Sequence, residues 1–459
     1  MEPDLILRAG RVVTPQGVRA AAVHIRGGQI VAVTDPDAVP EGFAVTDLGD
    51  LTLMPGVVDT HVHINEPGRT EWEGFETATR AAAAGGITTV VDMPLNSIPA
   101  ATSARGVAVK SARTEGRVHV DVGLWGGAVP DNTRADPAGL GKVLDEGALG
   151  FKCFLLPSGV DEFPFVTEDD LRAAMLQLRG TGATLMVHAE LPGPIDDAAR
   201  AMAEEDPPPD PRVYRNYVRS RPREAEDRAV ALLLRLVREL RVPTHVVHLS
   251  SSGALGLMAQ ARDASLPLTA ETAPHYLHFT AEAVPDGATW FKCAPPIRER
   301  DNQERLWAGL DDGLISMVVS DHSPCIPDLK HMDTGDFATA WGGIAGLQCS
   351  FLAMYTEATR RGFGLDRVVG WMCEAPARHA GLWGRKGAIA AGFDADLVAL
   401  DPTATTRVDA PFLQHRHKVT PYQGETLQGA VKTTWLRGQV VYDGAEFSAP
   451  KGRWIRRRT

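Results

Sequence analysis

The chain has 459 residues, 44% of them hydrophobic, and carries a formal net charge of −11. That length can bury a large core and support more than one domain, while the acidic balance argues against a nucleic-acid or anionic-membrane surface. The five cysteines (Cys153, Cys293, Cys325, Cys349, Cys373) form no CxxC pair and read as reduced thiols of a cytoplasmic protein. The start MEPDLILRAG lacks a signal-peptide pattern, and no apolar run approaches the roughly 20 residues of a membrane helix.

Residues 4–53 predict short strands in LILRAGRVV, AAVHIRGGQIVAV and FAVTDLGDLTLM, with Gly27-Gly28 as a hairpin turn. At the far end, GAIAAGFDADLVALD and TTWLRGQVVYDG read the same way, and LRGQVV echoes LRAGRVV. Both termini are therefore expected to build one small β-domain from residues 1–53 and 385–459, with residues 54–384 inserted between them. The closing RWIRRRT reads as a solvated tail.

The inserted region alternates strand and helix patterns. Strand candidates are MPGVVDTHV, GITTVVDMP, VHVDVGLWG, ALGFKCFLL, TLMVHAE, THVVHLS, PLTAETAP and ISMVVSD. The clearest helix is EAEDRAVALLLRLVREL, with Ala229, Leu232, Leu233 and Leu236 on one face. DPPPDP at 206–211 marks a loop. Eight strands alternating with helices fit a (β/α)8 TIM barrel, and polar residues at the strand ends favour it over a doubly wound sheet.

Those polar residues suggest a metal site. DTHVH places His61 and His63 two apart on a strand, so both imidazoles face one side. His188, His248, Asp321 and Lys152 belong to further apolar runs, and a barrel brings such strand ends to one mouth. Each residue alone has a plainer reading: a lone histidine is usually structural, a strand-end lysine reaches water, and Asp321 could cap a turn. All of those readings must hold together to dismiss the site. Six groups exceed one four-coordinate ion and suit two ions sharing a bridge. A protonated lysine would be repelled there, whereas its carbamate with CO2 is an anion with two bridging oxygens. The other ten histidines read as structural, with His275 and His322 as groups behind the ligands.

The series DTHVHINEPG, GITTVVDMP, GFKCFL, VHAE, VHLSS, ETAPHYL, KCAPPIR and SDHSPC resembles the cyclic amidohydrolases of the amidohydrolase superfamily, and within them the allantoinases. The resemblance covers nearly the whole chain. It implies a barrel with a composite β-sandwich and two divalent metals, zinc first, with cobalt, iron or nickel as alternatives. It assigns His61, His63 and Asp321 to the buried metal, His188 and His248 to the exposed one, and Lys152, as N6-carboxylysine, to the bridge. Asp321 becomes the proton carrier, and Asn96, Ser323 and the backbone near Cys293 become substrate contacts. The implied reaction is hydrolysis of allantoin to allantoate in purine breakdown, by a cytoplasmic homotetramer. Asn65 stands where dihydroorotases carry arginine, and no aromatic lid of the hydantoinase kind is evident after Lys152. A D-hydantoinase or dihydropyrimidinase, a non-catalytic scaffold and a mononuclear deaminase are the competing readings.

Overall fold

The computed structural model describes residues 4–40 and 42–457. The first three residues, part of the expected leaderless start, and the last two of the basic tail lie outside the described residues.

The chain opens with β1 (Leu5–Thr14), β2 (Gly17–Arg26), β3 (Gln29–Thr34), β4 (Val45–Asp47) and β5 (Thr52–Pro55). The β2–β3 turn falls at Gly27-Gly28 with φ of 56° and 81°, the doubly left-handed backbone of a two-residue hairpin. Next come β6 (Val57–Val62), β7 (Ile87–Asp92), β8 (Asp121–Leu124), β9 (Gly126–Gly127), β10 (Phe151–Phe154), β11 (Leu185–His188), β12 (Thr244–Val246), β13 (Leu268–Thr272) and β14 (Met317–Val318). These occupy all eight expected strand segments, with VHVDVGLWG split into β8 and β9 around Trp125. The chain ends in β15 (Leu397–Arg407), β16 (Thr426–Leu436) and β17 (Gln439–Tyr442).

Strands from the two termini form one eight-stranded sheet, ordered β17-β16-β15-β5-β1-β2-β3, with β4 beside β1. The echoed segments adopt different local structures. LRAGRVV runs through β1 with a register shift between Ala9 and Val12, whereas LRGQVV turns between β16 and β17, with Arg437 and Gly438 at positive φ.

The inner strands are parallel and follow sequence order, as β6-β7-β8 and as β9 through β14. Their side chains are buried almost throughout, as in parallel strands covered on both faces. The end of β6 meets the segment that follows β14, since the His63 N–H donates to the His322 carbonyl at 2.8 Å and Val62 bridges His322 in parallel. The amphipathic helix forms over Arg223–Leu240 and ends at Arg241 in the left-handed region. Ala229, Leu233 and Leu236 are buried there, but Leu232 is only half-buried at the edge of the face. No helix among the described residues is long and apolar enough to cross a membrane.

The basic tail does not float free. Ile455 is buried, and Arg453 and Ile455 hydrogen-bond on either side of Val122 in β8. The apolar pair Trp454-Ile455 inside the basic run supplies that anchor.

The terminal sheet is tied to the parallel strands by a buried ion cluster. Lys386 Nζ lies 2.7 Å from Asp121 of β8, 3.1 Å from Asp394 and 2.5 Å from Asp396, and Arg437 lies 2.5 Å from Asp121. The ammonium occupies the space among the three carboxylates, so they are an ion-pair cluster and not a cation site. Burial works against it, yet the carboxylates hold Lys386 above the ordinary lysine range. Lys386→Met should lower stability by about 3–5 kcal/mol, because breaking a buried pair strands its partners. Orphaned carboxylates bind protons more tightly folded than unfolded, so the loss should shrink between about pH 8 and about pH 5. Denaturant midpoints at the two pH values check both the size and the sign.

Candidate metal centre

The carboxyl ends of the parallel strands open on a cavity of about 470 Å3 whose wall includes His61, His63, Lys152, His188, His248 and Asp321. Asn96, Ser323 and Cys293 line the same space. His61 lies in β6 and His63 one residue beyond it; His188 ends β11, and His248 and Asp321 follow β12 and β14. Lys152 is the second residue of β10. His61, His63 and Asp321 present ligand atoms all within 4.8 Å of one another. His188 and His248 stand beside them, with ring centroids 4.6 Å apart and His248 5.4 Å from His61.

Several atoms here lack partners in a way that suits a cation. The His61 Nδ1–H donates to Glu271 at 2.5 Å, which leaves Nε2 with a lone pair. That nitrogen faces the Asp321 carboxylate at 3.2 Å without a hydrogen bond, so two electron-pair donors point at each other. His63 Nδ1 and His248 Nδ1 are likewise buried without partners. Burial pushes His63 down to about 4 and His248 well below its ordinary value, so both are neutral near pH 7. Burial opposes ionisation of Asp321, yet His61 and His63 bring it down to about 2, keeping it anionic. Neutral imidazoles with a carboxylate are the donor set of a divalent transition metal.

Lys152 fits the same picture. Its side chain is fully buried, its Nζ has no hydrogen-bond partner among the described residues, and burial pushes it down to about 8. An ammonium with all three donors unused would cost several kcal/mol. The amine is therefore deprotonated more readily than an exposed lysine, and the deprotonated form is the one that CO2 can modify.

Carboxylates behind the ligands fix their orientation. Glu271 accepts from His61 and lies 3.1 Å from His245 Nε2; despite burial, these histidines hold it well below the carboxylate range. Glu190 sits 2.7 Å from His188 Nε2 and accepts from Arg221 at 2.6 and 3.1 Å. Asp59 accepts the backbone N–H groups of His61 and Ser320, tying the strand of two ligands to the segment carrying the third. Sequence reasoning passed over Glu190, Glu271 and Asp59. Glu190 carried a signal, because VHAE puts it two residues after His188 on the same strand period. His322 is held by the Gly346 and Leu347 N–H groups on Nδ1, and its Nε2 lies 3.5 Å from Glu73, outside the ligand group. His275 is buried behind the site and pushed down to about 4 by that burial.

The substrate side of the cavity needs an amendment. Asn65 is fully buried, bonded to the Pro324 carbonyl at 3.4 Å and absent from the cavity wall. Two cations line the wall instead, Arg221 and Lys292. Glu190 neutralises Arg221, while Lys292 has no carboxylate partner and donates to the Ala338 and Ala340 carbonyls at 3.2 and 2.5 Å. Lys330 donates to the Trp341 and Gly343 carbonyls of the same segment. Two buried ammoniums thus clamp the 338–343 wall through four carbonyls. Asn96 keeps an unpartnered Oδ1, whereas Ser323 spends its hydroxyl proton on the Asp321 carbonyl and the Cys293 carbonyl accepts from Tyr217. Asn96, His248 and Asp321 all hold positive φ, strained for residues with a side chain and concentrated at this cavity.

Residues 52–441 match the model of the amidohydrolase family. Over 455 residues, 99% of both chains, the sequence is 53% identical to an allantoinase of Streptomyces avermitilis. It is 42% identical to an allantoinase of Saccharomyces cerevisiae, over 91% of this chain and 90% of that one. Among solved structures, the L-hydantoinase (dihydropyrimidinase) of Arthrobacter aurescens superposes with a TM-score of 0.91 at 30% identity, covering 100% of both chains.

Two measurements test the supporting shell. Glu271→Gln should lower divalent-metal affinity by about 10–100-fold, as loss of a partner behind a histidine ligand does, read from metal competition with a chelator. Lys330→Met should accelerate amide exchange of residues 338–343, with strands β10 to β13 unaffected; unchanged exchange there would dismiss the clamp.

Proposed function

Because the chain belongs to the amidohydrolase family, we propose that it is an allantoinase, hydrolysing a ring amide bond of allantoin to give allantoate. The observation that carries this reading is 53% identity along 99% of the chain to an allantoinase, with all six expected metal ligands on one cavity wall. The superposition on a hydantoinase at 30% identity makes simple hydantoins the second reading, a related ring in the same kind of cavity.

In this proposal residues 54–384 form a (β/α)8 barrel, supported by the ordered parallel strands and by the contact between the first strand and His322. Residues 1–53 and 385–459 form the β-sandwich domain beside it. His61, His63, Asp321, His188 and His248 would hold two divalent ions, zinc first with cobalt, iron or nickel as alternatives. Lys152, as its carbamate, would supply the further anionic ligand, in keeping with its buried and unpartnered amine. The protein is further proposed to be cytoplasmic and a homotetramer.

When bound, the metal pair supplies a Lewis acid for the ring carbonyl and lowers the pKa of water toward neutrality. Hydrolysis adds the water oxygen to the carbonyl carbon, breaks the ring C–N bond and delivers a proton to the departing nitrogen. Asp321 is the group to carry that proton: its carboxylate is ionised at neutral pH and its backbone is fixed by Ser323 and the strained turn. Asn96 Oδ1 offers an acceptor to ring or ureido N–H groups. Phe154, stacked on His188 at 4.7 Å, and Trp341 give the wall its apolar part and limit water around the reacting carbonyl. Allantoin is neutral and needs hydrogen bonds along its ureido arm, whereas dihydroorotate brings a carboxylate. Arg221 is already neutralised, so Lys292 is the cation such a carboxylate would meet on this wall.

With metal-loaded protein and bicarbonate, kcat/KM should rank allantoin first, simple hydantoins well behind and dihydroorotate negligible. A preference for dihydrouracil or dihydroorotate would sink the substrate assignment and leave the metal site standing. Lys152→Ala should lose bound metal and turnover together, with partial rescue by short carboxylic acids. Full metal content and activity in that variant without additives would refute the bridge.

A further inference from the structure

A second cavity, of about 580 Å3, opens at the other end of the parallel strands. Its floor is made by residues that lead into those strands, such as Thr184 before β11, Pro243 before β12, Pro267 before β13 and Ser316 before β14. Over it lie the helix Ala375–His379, the segment after it and the end of the chain, which bring Arg378, Arg385, Arg456 and Arg457 around one space. No aspartate or glutamate is part of this wall among the described residues.

The four guanidiniums are not spent on one another's neighbours alike. Arg378 pairs with Glu374 at 2.9 Å, Arg385 lies 3.8 Å from Asp394, and Arg456 lies 4.0 Å from Glu146. Among the described residues Arg457 has no carboxylate partner: one nitrogen donates to the Thr181 carbonyl, while Nη1 is buried without a hydrogen-bond partner. A buried guanidinium nitrogen left unpaired is costly, and an arriving acceptor removes that cost. The planar fork of arginine fits the paired oxygens of phosphate and carboxylate groups. The carboxylates that approach Arg378, Arg385 and Arg456 stand outside the wall, so the described surface facing this concavity carries guanidiniums and no acid.

We propose that this cavity is a binding site for a small oxyanion, a phosphate or carboxylate group seated among Arg385, Arg456 and Arg457. It is separate from the metal cavity and independent of which cyclic amide is hydrolysed there. Thr184, on the floor of this cavity, immediately precedes β11, whose last residue His188 lines the metal cavity, so the two cavities open at opposite ends of that strand.

The test is calorimetric titration of the full metal-loaded chain with inorganic phosphate and, separately, citrate, at constant ionic strength held with chloride. Wild type is compared with Arg457→Gln and Arg385→Gln, each checked for an unchanged melting temperature without ligand. The proposal expects saturable binding of at least one anion, weakened about tenfold or more in either variant. Saturation by phosphate alone identifies a phosphate group as the ligand, and saturation by citrate alone identifies a carboxylate. Should Arg457→Gln not fold, Arg456→Gln, with 53% of its side chain exposed, carries the same comparison. Absence of saturable binding overturns the proposal. So does binding of equal strength in all variants, which belongs to the metal cavity.

Discussion

The seam between the first and last parallel strands is the constraint on which the metal cavity depends. One buried carboxylate, Asp59, accepts N–H groups from His61 on one side and Ser320 on the other. Two residues further along each segment, the His63 N–H bonds the His322 carbonyl. His61, His63 and Asp321 are thereby fixed relative to each other across more than 250 residues of sequence. Burial raises the Asp59 carboxyl to about 6, so a residue that touches no substrate carries a desolvation penalty to hold this registry.

Outward from the seam, the electrostatics follow one pattern. Burial pushes His63, His188 and His248 below the ordinary imidazole range, and despite burial Glu271 and Glu190 are held below the carboxylate range by the histidines and the arginine they touch. Glu271 serves His61 and His245, and Glu190 links His188 to Arg221. This separates two tasks that one residue type cannot perform at once. The inner groups offer lone pairs to a cation, and the outer groups hold the N–H tautomer that turns those lone pairs inward. Arg221 belongs to this outer layer although it lines the cavity, which is why its charge is not simply available to a ligand.

The fold and the inner groups were legible because each sat on a periodic signal. Buried parallel strands give short apolar runs, and the polar residue that ends each run is conspicuous. The glycine pair at 27–28 likewise announced its turn. What escaped were residues whose role depends on distant partners. Glu271 and Asp59 look like ordinary polar positions until strands far apart in sequence converge. Asn65 misled in the opposite way: adjacency to the histidine pair suggested a cavity residue, but the chain turns it toward Pro324. Leu232 missed full burial by its angle on the helix, and the tail missed being solvated because Trp454 and Ile455 are two apolar residues inside a basic run. The echo of LRAGRVV and LRGQVV was a true sign of a shared sheet, but not of a shared local conformation.

The amendment at the cavity wall changes how selectivity must be argued. Absence of arginine at position 65 cannot by itself exclude a carboxylate substrate, because Asn65 does not face the cavity and Lys292 does. The relevant question is what Lys292 can give up. Its two short bonds to the Ala338 and Ala340 carbonyls hold the segment that carries Trp341, and burial has already pushed its pKa down to about 8. Turning this ammonium toward a substrate carboxylate would release those carbonyls in a buried wall, and each unpaired group costs about 1–3 kcal/mol. Desolvating the two charges already cancels most of what their pairing gains, so with the carbonyls released the wall disfavours anionic rings. A neutral ring with a hydrogen-bonding arm asks for no such rearrangement, since Asn96 already presents an acceptor. Selectivity then rests on leaving the lysine clamp undisturbed, a property of the whole 338–343 wall and not of any single residue after the histidine pair.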